Sequence, residues 1–439
     1  MQHSTNSEEG FLQRNRNLIK GFLVSFLILM LMIPTFFITD LIRERQIRQE
    51  QVKQEIATQW GQKQTLSGPL LVIPYWKAER KQNGQVIQTK ALSYYLPHEL
   101  NVGASLAPEY RSRSSIFKLI VYTASLTTKG YFEKPNFEKL KISKDQLIPE
   151  EAYILYGIND FTGIQDKVVL KWNQEKHEMT AGSHESSTIQ SGLVCPVKLQ
   201  LDENNQQYHF ELMMQLRGAE TIGFLPLGKS TQVEVKAPWP HPSFIGNTLP
   251  NHQIDSKQFT ASWKVFEINR AFAQQWTGEQ APDLSNSEFG VTLLQPLDNY
   301  AKTSRTIKYA ILVIMLTFVI YFFIEVLQRK QVHVVQYVLI GFALCVFYTL
   351  LLAISEYTTY MTAYVIAGSA TITLISLYTK SVFGSWRMAG LFSMFMTSLY
   401  GFIYMLIQLQ DGALLAGSIG LFLILAAIMY VSRKIEWYK

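Results

Sequence analysis

Proline is missing from the last third of this 439-residue chain: all 15 prolines lie at or before Pro296. Transporter helices that break at mid-membrane commonly use Gly or Pro, so the absence argues against that design. Cysteine is scarce, with Cys195 in a polar stretch and Cys345 in an apolar run. No disulfide framework is expected, and each thiol reads as a small buried apolar residue. Charge is nearly absent from the interiors of the apolar runs after residue 308, which removes the usual markers of an ion or substrate path. There is no G-x-S-x-G elbow and no H-E-x-x-H, so neither a local nucleophile motif nor a compact zinc motif is offered. The eight histidines, including His177 and His184, fall in no metal-ligand spacing. No cofactor and no catalytic residue is expected, and the protein reads as non-enzymatic.

What is present divides into two populations. A helix needs about 20 apolar residues to cross a bilayer. The first such run, about Leu18 to Ile38, is long and lacks a small-residue cleavage pattern, so it reads as an uncleaved signal anchor. Five more follow, at about Tyr309–Leu327, Val334–Ile354, Tyr360–Tyr378, Met388–Ile407 and Ala413–Val431. Six spans put both termini on one side. Arg329 and Lys330, Lys380 and Arg387, then Arg433, Lys434 and Lys439 alternate with loops carrying Glu356 and Asp411. By the positive-inside rule both termini are cytoplasmic and the intervening domain is periplasmic. The first helix does not orient itself, since Arg14, Arg16 and Lys20 precede it and Arg43, Arg45, Arg48 and Lys53 follow it. The net charge of +6 and pI near 9.0 arise largely beside these helices, so no nucleic-acid partner is expected.

The expected organisation is a cytoplasmic tail at 1–17, the transmembrane anchor at 18–39, and a periplasmic domain at 40–305. A five-helix bundle follows at 306–432, then a cytoplasmic tail at 433–439. Residues 40–60 lack Gly and Pro and pair Glu44 with Arg48 at i,i+4, which predicts a short helical stalk. The rest of the domain alternates like strands at Ile116–Ser125, Val168–Trp172, Tyr208–Leu216, Thr231–Lys236 and Ser262–Ile268. Leu70–Ile73 reads as a strand stopped by Pro74, Asn83-Gly84 as a turn, Ser143–Glu151 as a short helix, and Ser183–Ser191 as a loop. The fold class is therefore a membrane protein: a mostly-β, sandwich-like extracytoplasmic domain on an α-helical bundle, with six transmembrane helices in all.

Two groups of residues stand out as candidates. Trp239-Pro240-His241-Pro242-Ser243-Phe244 reads as a rigid recognition loop, with Trp239, His241 and Phe244 as contacts, or as a stiff connection whose aromatics fill the core. Ser355, Glu356 and Asp411 share the outer face of the bundle, where Tyr300 and Arg305 would complete a junction. Glu325 sits near the cytoplasmic end of its span, within i+4 reach of Arg329. Small faces at Ala363/Ala367/Gly368 and Gly417/Gly420 suit close helix packing.

The chain resembles the CreD family of cell envelope integrity proteins. The resemblance is carried by Gly68-Pro69, Ile73-Pro74-Tyr75, the run from Trp239 to Pro250, Trp263, Asn269-Arg270, Trp276 and Leu294–Tyr300. In the bundle it is carried by Lys308-Tyr309, Glu325, Gln336-Tyr337, Leu352–Glu356, Tyr400–Phe402, Gln408–Asp411, Gly417–Phe422 and Arg433–Tyr438. Tyr357, Lys434 and Glu436 depart from the family pattern, which has His, Arg and Asp there. The resemblance implies roles in envelope integrity and colicin tolerance, and in some bacteria a link to a two-component stress response. It implies no enzymatic activity. The expected partners are the lipid bilayer and an unidentified periplasmic or inner-membrane protein. The alternatives are a transporter or lipid-handling protein using Glu325, Glu356 and Asp411, and a membrane enzyme acting on envelope lipid or peptidoglycan.

Overall fold

The computed structural model describes residues 16–80, 86–113, 117–182, 189, 191–200, 207–295, 299–328, 330–409 and 412–433. The chain forms two compact units, Glu50–Pro296 and the combination of Met1–Gln49 with Leu297–Lys439. The expected turn at Asn83-Gly84 and most of the expected loop at 183–191 lie outside the described residues.

Helix α1 spans Arg16–Trp60, in the helical unit as far as Gln49; within that unit follow α2 Asn299–Lys308, α3 Ala310–Gln328 and α4 Val334–Ser355. Tyr360–Phe383 is α5, Trp386–Gln408 is α6 and Ala413–Ser432 is α7. Five helices are long and apolar enough to cross a membrane, or six if α2 and α3, bent by 44° at their junction, count as one. The helix ends have local causes. His333 accepts the Val335 N–H at the start of α4. Thr359 accepts the Thr362 N–H at the start of α5, and Gly384, at φ 68°, supplies the left-handed residue that ends it. The sequence places the second span at Tyr309; α2 lies before it. Tyr300, Thr303 and Ile307 are its buried face, an amphipathic spacing that a search for long apolar runs passes over.

Small residues mark the places where helices approach. A Cβ on Gly341 would lie 2.2 Å from Leu31 of α1, and one on Gly420 would lie 2.0 Å from the Phe402 ring of α6. Gly368 meets Tyr400 at ordinary contact distance. These close approaches take the place of the hydrophobic driving force that lipid cannot supply between helices.

The second unit is rich in β-structure, in two sheets. One runs, in order of neighbours, Pro242–Gly246, Phe289–Leu293, Thr221–Phe224, Gln64–Arg80, Tyr153–Ile158, Gly192–Pro196 and Thr180–Gly182, with Val86–Tyr95 and Gln275–Thr277 extending it from Gln64–Arg80. The other runs Asn251–Ile254, Phe259–Phe266, Ser230–Ala237, Glu99–Ser112, Lys118–Glu133, Gln207–Ala219, Val169–Trp172 and Glu175–Glu178. Strands of the second sheet alternate buried and solvated positions, as at Ser230–Ala237. That is the period of a strand with one covered face. Central strands of the first sheet, such as Tyr153–Ile158, are buried at every position. Side chains of both sheets join one hydrophobic cluster that includes Leu70, Tyr94, Tyr122, Tyr156 and Trp263. Two buried hydrogen bonds bridge the sheets: the Tyr122 hydroxyl donates to the Thr221 carbonyl at 2.8 Å, and the Thr128 and Tyr156 hydroxyls are 3.0 Å apart.

Two local expectations are corrected. Pro74 does not stop its strand, which continues to Arg80. A proline withholds a donor but keeps its carbonyl, and that of Pro74 accepts the Ile148 N–H at 2.9 Å. Residues 143–151 form two separate 3-10 turns, Lys144–Gln146 and Pro149–Glu151, rather than one helix. Pro149 divides them. Cys195 and Cys345 are both buried and free, and burial pushes the Cys195 thiol up.

Candidate functional site

Two carboxylates of the helical unit, Glu325 and Glu356, lie at opposite ends of α4. At its start, Glu325 is 5% exposed. Its Oε1 accepts from Lys20 Nζ of α1 and, at 2.9 Å, from the Val332 N–H. Its Oε2 accepts from the Tyr337 hydroxyl at 2.8 Å. Lys20 also donates to the Val332 carbonyl at 2.7 Å. The Tyr337 ring meets Tyr321 and Phe318 edge-on. The sequence suggested a boundary carboxylate near water, within reach of Arg329. Arg329 lies outside the described residues, and Glu325 is a buried group bonded across three elements. Lys20 was missed because its partner is 305 residues away; no local spacing records such a pair.

At the end of α4, Tyr300 of α2 donates to Glu356 Oε1 at 3.0 Å, and Arg45 Nε of α1 lies 3.7 Å from the same oxygen. Asn299 donates to the carbonyls of Ser355 at 2.7 Å and Thr358 at 3.0 Å. Ser355 is buried, and its hydroxyl bonds back to the Leu352 carbonyl at 2.9 Å. The structure thus brings Tyr300, Ser355 and Glu356 together and adds Arg45 and Asn299. Arg305 is exposed on the other face of α2 and makes no ion pair with a described residue. Asp411 lies outside the described residues.

The two ends are about 33 Å apart, from 22 residues of α4 at 1.5 Å each. Lys20 and Arg45, 25 residues apart on α1, span a similar length. Leu31 meets Gly341 between them. Helices α1 and α4 therefore run parallel, held at one end through Glu325 of α3, which bonds Lys20 of α1 and Tyr337 of α4, and at the other by the Arg45–Glu356 pair.

These two clasps differ in strength. Arg45 is about half exposed, and exposed pairs contribute about 0–1 kcal/mol. Tyr300→Phe removes one hydrogen bond to a charged group, so a loss of about 1–2 kcal/mol is expected. Thermal unfolding of the purified protein in detergent, followed by circular dichroism at the helix band, measures it. A loss as large as that of a buried ion pair would contradict the peripheral placing of this end.

In the β-rich unit, Pro242–Gly246 is an edge strand rather than a free loop. The prolines that stiffen the run also suit an edge, where a missing N–H is harmless. Trp239 donates to the Leu294 carbonyl at 3.2 Å and packs against Tyr110. Phe244 packs against Phe259 and Trp263. Only His241 of the three named contacts is exposed, with Leu249, 80% exposed, on the same run.

No phosphate-binding loop is expected from the sequence, yet Gly223-Phe-Leu-Pro-Leu-Gly-Lys-Ser230 has its G-x-x-x-x-G-K-S spacing. It does not form one. The loop leads into the strand Ser230–Ala237 instead of a helix, and the motif requires strand, loop and helix in that order. Its backbone donors are also spent: Leu225 N–H on Leu66, Gly228 N–H on the Thr231 hydroxyl, Lys229 N–H on Pro97 and Ser230 N–H on His98.

The sequence profile of the family described as "Inner membrane protein CreD" matches residues 16–438. The chain belongs to this family. Inner membrane protein CreD of Escherichia coli (strain K12) is 29% identical over 416 residues, covering 94% of this chain and 91% of that one. The protein is accordingly a multi-pass inner-membrane protein, with several apolar helices and a β-rich region. Among solved structures, an M1 zinc metallopeptidase from Deinococcus radiodurans overlaps 38% of each chain at 9% identity, with a TM-score of 0.19. A likeness at that level carries no argument about fold or chemistry.

Proposed function

We propose that the protein acts in envelope integrity by binding a periplasmic or inner-membrane protein through its β-rich unit, without catalysis. In this reading six spans hold the protein in the membrane: α1, the bent pair α2–α3, and α4 to α7. Both termini are cytoplasmic, and the β-rich unit, its two sheets packed as a sandwich, is periplasmic. The observation that carries the reading is the use of the bundle's carboxylates. Glu325 of α3 holds Lys20 of α1 and Tyr337 of α4, and Glu356 at the end of α4 holds Tyr300 of α2 and Arg45 of α1, which suits a structural holder better than a charge-coupled path. Orientation is supported by Lys20, which bonds the loop beside Lys330, so the start of α1 shares a side with a basic loop.

The test is photo-crosslinking in living cells from a photoreactive residue replacing exposed His241, followed by mass spectrometry. A reproducible protein adduct is the expected result. Adducts only to lipid or glycan would remove the protein-partner reading and favour lipid handling or envelope chemistry.

A further inference from the structure

A cleft of about 540 Å³ opens in the β-rich unit where four separated segments meet: residues 95–98, residues 133–140, Lys229 and residues 267–275. Its walls are pinned from behind. The Leu96 N–H donates to the Gln274 carbonyl at 3.0 Å and the Lys229 N–H to the Pro97 carbonyl at 2.9 Å. The Gln274 amide donates to the carbonyls of Leu96 and Pro97 at 3.0 and 2.7 Å, and its oxygen accepts from Arg270. The Gln275 amide donates to the Asn136 carbonyl at 2.7 Å. A cleft fixed in this way needs little ordering when a ligand enters, and its volume is that of a small-ligand site.

Its charge sets it apart from two neighbouring hollows. The hollow of about 310 Å³ near Lys53 balances Lys53 and Lys63 with Glu50 and Glu220. The hollow of about 440 Å³ near Lys129 balances Lys129 and Lys171 with Glu99 and Glu211. The larger cleft carries Lys134, Lys139 and Lys229 against Glu133 and Glu267. Glu133 is also engaged by His98, whose Nδ1 lies 2.8 Å from its Oε1. The remaining balance is positive, and the lysines come from two of the four segments, residues 133–140 and Lys229, around one space. Primary amides of Asn136 and Gln275 stand among them, while that of Gln274 is spent on the walls. Amides complement peptide N–H and C=O groups, which a bare inorganic anion does not offer.

We propose that this cleft binds a short acidic stretch of polypeptide, with Lys139 and Lys229 meeting its carboxylates and the Asn136 and Gln275 amides meeting its backbone. The proposal rests on the partner-binding reading and names the chemistry that the partner presents.

The test uses the full chain in detergent and fluorescence anisotropy of a labelled Asp-Glu-Asp-Glu peptide. Saturable binding is expected at low salt, with loss of affinity as salt screens the charges. The double variant Lys139→Glu/Lys229→Glu should bind at least tenfold more weakly, while Lys139→Arg/Lys229→Arg should retain binding. Circular dichroism checks that both variants stay folded. Equal binding of an Asn-Gln-Asn-Gln peptide, unchanged binding by the charge-reversed variant, or no saturable binding would each overturn the proposal. Stronger binding of oligogalacturonate than of the peptide would also overturn it, in favour of an acidic glycan. Failure of crosslinking from position 241 with peptide binding intact would sink the partner-binding reading alone. The converse result would sink the cleft alone.

Discussion

Glu325→Ala is expected to destabilise the helical unit by about 3 kcal/mol, the scale of breaking a buried ion pair by removing one member. The carboxylate is buried and satisfies three donors at once: Lys20 Nζ, the Val332 N–H and the Tyr337 hydroxyl. Removing it leaves the Val332 amide and the Tyr337 phenol without their acceptor, and the Lys20 ammonium with only the Val332 carbonyl. Lys20→Met is expected to cost less, because its ammonium is partly exposed and the carboxylate keeps two neutral donors. The double variant Lys20→Met/Glu325→Met should recover much of the Glu325→Ala loss, since no charge then remains buried. Denaturant unfolding in detergent, read at the helix band of circular dichroism, gives all three values. If Glu325→Ala costs less than about 1 kcal/mol, the carboxylate is solvated and the clasp between α1 and α4 is not what holds that end.

The starts of long apolar helices were legible because lipid imposes a simple rule: long apolar runs, bounded by charge. Tyr360–Phe383 and Val334–Ser355 begin where the sequence places them. The strands of the second sheet were legible for a similar reason. Tyr208–Leu216 and Thr231–Lys236 alternate because one face is covered, and the structure extends each by a few residues. Strands buried on both faces do not alternate, so Tyr153–Ile158 gave no such signal. The candidate site was legible in part. Tyr300, Ser355 and Glu356 could be placed together because each ends or begins a helix on the same face. Arg45 and Lys20 could not, because their roles depend on α1 lying parallel to α4. That arrangement is set by packing such as Leu31 against Gly341, and no spacing within either segment encodes it.

Gly130→Ala is expected to destabilise the β-rich unit by about 3 kcal/mol, at the upper end of overpacking losses. Gly130 lies in the strand Lys118–Glu133, opposite Leu100 on one side and Phe210 on the other. A Cβ built there would sit 1.9 Å from the Glu99 carbonyl oxygen and 2.9 Å from the Phe210 ring. The oxygen belongs to a paired strand, so relief requires shifting backbone rather than rotating a side chain. Gly103→Ala, on the neighbouring strand Glu99–Ser112, is the matched control, because nothing lies within 4 Å of its Cβ position. It should be neutral or slightly stabilising, since alanine restricts the unfolded chain more than glycine does. Six of the eight tryptophans fall within Glu50–Pro296, so tryptophan fluorescence follows this unit during thermal unfolding. Equal effects from the two substitutions would mean that the cost belongs to glycine's backbone freedom. A large loss confined to Gly130→Ala would locate it in the contact with Glu99, where the start of one strand crosses the end of its neighbour.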